Sequence, residues 1–164
     1  MIRGVHHIAI VTDDLEVMTR FYCDILGGTI AFESHWKVGS PKIDAIIGVS
    51  GTSATLTMVR LGNAYIELFK YHEPESARRD GEPVVWQKGL RHICFDVVDV
   101  EAEYERLRTV GVHFDGTLQT AALARTVYGR DPEGNILEFQ ETLGAGPFLL
   151  PEFVSIEPDS LTAD

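Results

Sequence analysis

The sequence predicts an α+β protein made of two tandem strand–helix–strand–strand–strand (βαβββ) modules. Three observations carry that reading. Val5-His6-His7-Ile8-Ala9-Ile10-Val11 is echoed by Leu90-Arg91-His92-Ile93-Cys94-Phe95-Asp96. Each stretch leads into an acidic turn and a helix-like run, Asp14-Leu15-Glu16 and Asp99-Val100-Glu101. The spacing is constant, since 92 − 7, 99 − 14 and 101 − 16 all give 85, about half of the 164-residue chain.

Residues 4–12 are rich in Val and Ile and read as a strand, with His7, Ala9 and Val11 on one face and Ile8 and Ile10 on the other. Asp13 or Asp14 offers an N-cap to a helix whose apolar stripe is Leu15, Met18, Tyr22 and Ile25, stopped by Gly27-Gly28. Residues 29–35 form a short strand. The 36–53 stretch is irregular, with Ile43, Ile46 and Ile47 predicting a short apolar helix or lid. Strands 54–61 and 64–71 are joined by Gly62-Asn63, a hairpin turn pair. A linker over 72–89 then separates a first module, 1–71, from a second, 90–142. The second runs strand 90–98, helix from the Asp99 cap to Gly111, a short strand near 112–115, a loop, and strand 124–130. The turn Asp131-Pro132-Glu133-Gly134-Asn135 leads to strand 136–141. The apolar tail 143–164 reads as a docking segment on the chain's own core or on a partner.

Composition narrows the function classes. At 45% hydrophobic residues the chain can bury a sizeable core, and a net charge of −11 argues against nucleic acid or an anionic membrane surface as partner. Two cysteines, Cys23 and Cys94, are too few for a disulfide framework, and no signal peptide or membrane span is evident. The expectation is a cytoplasmic protein.

Glu67 stands in the otherwise apolar strand Tyr65-Ile66-Glu67-Leu68-Phe69, and Glu138 in Ile136-Leu137-Glu138-Phe139-Gln140. Each module thus carries one strand histidine and one strand glutamate: His7 and Glu67, His92 and Glu138. If the modules pair symmetrically, the four converge on one cavity. Two imidazoles and two carboxylates suit one divalent ion such as Zn, Ni, Co, Fe or Mn, and a metal gives a buried carboxylate the partner it needs. Either residue alone would read as a solvated side chain; the repetition points to metal.

Other positions carry weaker signals. His6 faces away from His7, and His35, His72 and His113 fall near strand ends or loops and read as surface. Cys94 reads as a small buried filler rather than a nucleophile, and Asp96 as solvated or supporting the site. Arg91, Arg125 and Arg130 are candidates to hold an anionic group, and Thr126 and Tyr128 to donate to a substrate.

The motifs His-His-Ile-Ala-Ile with Phe21-Tyr22, Tyr-Ile-Glu67-Leu-Phe, Arg-His92-Ile-Cys-Phe, and Asp131-Pro-x-Gly-Asn-x-x-Glu138 together resemble the vicinal oxygen chelate superfamily over residues 4–141. That group spans glyoxalase I, methylmalonyl-CoA epimerase, extradiol dioxygenases and bleomycin and fosfomycin resistance proteins. The resemblance implies an open, cup-shaped mixed β-sheet with helices outside, usually in homodimers. Carried over by position, the metal ligands are His7, Glu67, His92 and Glu138. The implied activity is a glyoxalase-like isomerase, epimerase or lyase taking a proton next to a carbonyl of a small substrate, with Glu138 and Glu67 as base and acid. An Fe(II) dioxygenase acting on a catechol, or a metal-free small-molecule binding protein, are the alternatives.

Overall fold

A computed structural model describes residues 2, 4–77 and 81–144. The 143–164 docking segment falls outside these residues beyond Gly144. The first module contains β1 (His7–Val11), α1 (Leu15–Arg20), β2 (Thr29–Trp36), α2 (Pro41–Ile47), β3 (Ser53–Leu61) and β4 (Ala64–Glu73). The second contains β5 (His92–Asp96), α3 (Val100–Thr109), β6 (His113–Phe114), β7 (Gln119–Ala121), β8 (Ala124–Arg130) and β9 (Ile136–Thr142).

Helices α1 and α3 start as their sequences require. Asp14 accepts from the Val17 N–H and Asp99 from the Ala102 N–H, both at 3.0 Å, so the duplicated aspartates are duplicated caps. α1 continues as a π-helical stretch, Phe21–Ile25, which carries Phe21 and Tyr22 into the interior beside Met18. Gly28 follows where a Cβ would lie 2.5 Å from Val59 and 2.7 Å from the Tyr22 carbonyl, so only glycine lets the chain turn back there.

The strands form two mixed sheets rather than one continuous hydrogen-bonded sheet. Their orders are β1-β4-β3-β2 and β5-β9-β8-β6, with β7 also on β8. In each, the first strand pairs parallel with the last and the other pairings are antiparallel. The modules are instead joined by side chains. Tyr22 donates to Asp131 at 3.1 Å, and Glu133 accepts from the Asp13 and Asp14 N–H groups, both at 2.9 Å, and from the Thr12 hydroxyl. Arg106 of α3 donates to the Ile25 carbonyl at 2.7 Å.

One core runs through both modules. Ile10, Val59, Ile66 and Leu68 pack with Met18, Phe21 and Tyr22, continuous with Val100, Leu107, Val127, Leu137 and Phe139. Each such side chain contributes about 1.5–3 kcal/mol on burial. With Ile8 and Ile10 turned to this core, alternation puts His7, Ala9 and Val11 on the opposite, open face.

Candidate metal centre

Strand pairing positions the four site residues. In the first module Ala9 is the register partner of Glu67; in the second Cys94 is the partner of Glu138. The histidine two residues earlier then reaches diagonally to the carboxylate. His7 Nε2 lies 3.2 Å from Glu67 Oε2, and His92 Nε2 lies 3.1 Å from Glu138 Oε2. The carboxylate side chains are only 14% and 12% exposed, the imidazoles 40% and 36%. Each module thus sets a withdrawn carboxylate against an open imidazole.

The four side chains stand as two pairs. Among the described residues no group of three or more His, Cys, Asp or Glu side chains is gathered as a metal cage. A cleft of about 870 Å³ separates β1, at Ile8–Val11, from the start of β5, at Leu90–Ile93; it takes in His92 but not His7, Glu67 or Glu138. A single pair offers too few donors for the usual four-coordinate site, whereas the two together supply a chemically suitable set.

The surroundings of the pairs differ. Thr126 donates to Glu138 Oε1 at 2.7 Å, and Tyr128 and Cys94 are the cross-strand register partners of Glu138. Desolvation of the Cys94 thiol, reinforced by Glu138, pushes its pKa up to about 12, so it stays protonated even though Cys94 is an exposed residue. That corrects the buried-filler reading and agrees with the absence of a nucleophile: the open sheet face leaves the residue uncovered. Desolvation and then Glu138 also raise the Tyr128 phenol. Glu67 has His7 as its polar partner among the described residues.

His6, which strand alternation turns away from His7, nonetheless touches it. Its Nδ1 lies 2.9 Å from His7 Nδ1, and its ring stacks on Tyr65 at 5.0 Å. His6 thus meets the His7 nitrogen that does not face the carboxylate and restrains the orientation of that ring. Of the three arginines offered for an anion, Arg125 pairs with Glu101 at 2.9 Å and Arg130 with Asp115 at 2.8 Å, while Arg91 donates to the neutral Gln87 at 3.1 Å and lines the cleft. His113 faces Asp115, His72 faces Thr55, and His35 is exposed, all as surface residues.

Residues 4–139 match the model of the Glyoxalase/Bleomycin resistance protein/Dioxygenase superfamily. The chain belongs to this superfamily. A 2-epi-5-epi-valiolone epimerase from Actinomyces sp is 30% identical over 153 residues, covering 88% of this chain and 82% of that protein. Among solved structures, a glyoxalase family protein from Bacillus cereus superposes with a TM-score of 0.75 at 20% identity, over 88% of this chain and 97% of that one. The genomically encoded fosfomycin resistance protein FosX from Listeria monocytogenes, solved with Mn(II) and sulfate, gives 0.55 at 19% identity, over 88% and 95%. The α+β fold read from the repeat, and the glyoxalase-type fold that the resemblance implies, is the fold found. Among the described residues no helix is long and apolar enough to cross a membrane.

Proposed function

We propose that this superfamily member is a divalent-metal-dependent epimerase, isomerase or lyase that moves the proton beside a carbonyl of a small substrate. The observation that carries the reading is the His–Glu pair repeated at matching strand positions, at 3.2 Å and 3.1 Å. His7, Glu67, His92 and Glu138 are its ligands. When bound, the ion supplies Lewis acidity that stabilises negative charge on the carbonyl oxygen. The protein's own part is to aim the imidazoles with second-nitrogen contacts such as His6 on His7, to shield two carboxylates from water, and to present a glutamate to the α-proton.

Among the described residues the two pairs of one chain do not form one cluster, and β1 and β5 stand at the ends of their sheets. A second copy completes the site in this reading, His7 and Glu67 of one protomer joining the other protomer's second module in a closed two-fold dimer. The epimerase name of the Actinomyces relative and the Mn(II) in FosX support the reaction class and the ion.

The test is metal analysis of protein purified without chelators, then solvent-deuterium incorporation into 2-epi-5-epi-valiolone, acyl-CoA epimers and hemithioacetals. Exchange should depend on metal, and Glu138→Gln and Glu67→Gln should each lower it by about 10²–10⁴-fold or more. Full activity in either variant would overturn the assignment, and oxygen uptake with a catechol would turn it toward a dioxygenase.

A further inference from the structure

Beyond Glu67 on the same face of β4 come Phe69 and Tyr71, where the second module has Gln140 and Thr142 beyond Glu138. Trp36, from the end of β2, joins them. Its ring lies 6.0 Å from Phe69 and 5.9 Å from Tyr71, both edge-to-face, and those two rings are 5.8 Å apart. Val11, the register partner of Phe69 on β1, extends the apolar surface. The three rings are half-buried and Val11 is 51% exposed, so this group is an open face and not part of the core. What fixes Trp36 is the segment between β2 and β3, residues 37–52, which carries α2. Val38, Ile46 and Val49 of this segment are exposed; a polar hook anchors it. Asp44 of α2 accepts from the Gly51 N–H at 3.0 Å and from the Thr52 hydroxyl at 3.2 Å. The hydroxyl of the buried Thr52 in turn accepts the Trp36 indole N–H at 2.9 Å. These bonds run in one direction, because an indole only donates and a carboxylate only accepts. In the second module, β6 and β8 are joined through β7 with no helix.

We infer that Trp36, Phe69 and Tyr71 receive an apolar arm of the carbonyl substrate, and that α2 serves to lock Trp36 in place for it. The assignment rests on the metal-centre reading above. Phe69 is two residues from Glu67, so a substrate whose carbonyl sits at the His–Glu pairs reaches the rings directly. A protein segment laid across this face would also cover Glu67 and close the metal centre to substrate; the arm of a small molecule does not. An indole already ordered by its own hydrogen bond loses little freedom when a ligand packs on it. Such a ring is therefore a selective wall and not an adaptable one. Thr52 and Asp44 are positioning residues in this account, acting through Trp36.

The test loads the full-length protein with Co²⁺ and titrates it with two chelating probes, acetohydroxamate and phenylacetohydroxamate, following the Co²⁺ absorption band. Both present the same oxygens to the ion, and only the second carries an apolar arm. Phenylacetohydroxamate should bind the wild-type protein about 30-fold more tightly. Trp36→Ala and Thr52→Val should each bring that ratio to within about 5-fold, and Thr52→Ser, which keeps the hydroxyl, should restore it. Thermal unfolding checks that each variant folds; should Trp36→Ala fail to, the Thr52 pair decides. Equal affinity of the two probes for the wild-type protein, or an undiminished ratio in Thr52→Val, overturns the inference while leaving the metal centre standing. No Co²⁺ uptake by the wild-type protein overturns the metal centre itself, and the inference with it.

Discussion

The first module of this protein surrounds its His–Glu pair with apolar and aromatic side chains, the second with hydroxyls and amides. Along β3 and β4 the open face carries Leu56, Met58, Phe69 and Tyr71, closed at one end by Trp36, whose ring lies 6.0 Å from Phe69 and 5.9 Å from Tyr71. Along β8 and β9 the same face carries Thr126, Tyr128 and Gln140. The hairpins differ too. The first turns on Gly62-Asn63, both exposed, whereas the second buries Asp131, which accepts from Tyr22, the Glu133 N–H and both nitrogens of Asn135. Duplication kept the strand positions that make the pair and released everything around it. Matching strand positions therefore do not imply matching surroundings.

That contrast can be broken most severely at the second hairpin. Asp131→Ala removes a buried acceptor with four hydrogen bonds, one of them to the other module, and should cost about 3 kcal/mol of unfolding free energy by denaturant titration. Tyr22→Phe deletes only the phenol's bond to Asp131 and should cost about 1 kcal/mol at neutral pH. Burial, then Asp131, holds the Tyr22 pKa well above its ordinary value, so the folded phenol stays neutral where an unfolded one ionises. The stability this gives is complete below the unfolded pKa of about 10 and declines as pH rises toward the folded value. The deficit of Tyr22→Phe should accordingly shrink in titrations repeated at about pH 11. At the first hairpin, Asn63→Ala should fall within about 0.5 kcal/mol of wild type. A large loss there would show that the two turns are equivalent after all.

The parts of this architecture with a strong local period were legible in the sequence. The 85-residue repeat located both first strands, both capped helices and both histidines, while the parallel strand registers bring Glu67 and Glu138 onto the face of their histidines. Short or context-dependent pieces were not. β7 is three residues held only by pairing to β8, and nothing in Gln119-Thr120-Ala121 distinguishes it from loop. The 36–53 segment does form a helix, α2, capped by a left-handed Gly48, but Ile46 is exposed rather than turned inward as its apolar character implied. Thr126 was noted as a possible substrate donor, yet its hydroxyl is used by Glu138; the register of the Asp131–Asn135 hairpin, which sets Tyr128 against Glu138, held that information. Whether four ligands meet within one chain or between two is a matter of how modules dock, and no strand periodicity encodes it.

In the proposed dimer one ion is held by His7 and Glu67 from one copy and His92 and Glu138 from another. This shared site is tested most directly by pairing His7→Ala with His92→Ala in differently tagged chains and titrating the purified mixed dimer with Co²⁺. Each variant alone should lack a complete site, while the mixed dimer regains one intact site of its two, binding about one ion where the wild-type dimer binds about two. A mixed dimer that binds no better than either variant alone would contradict the account.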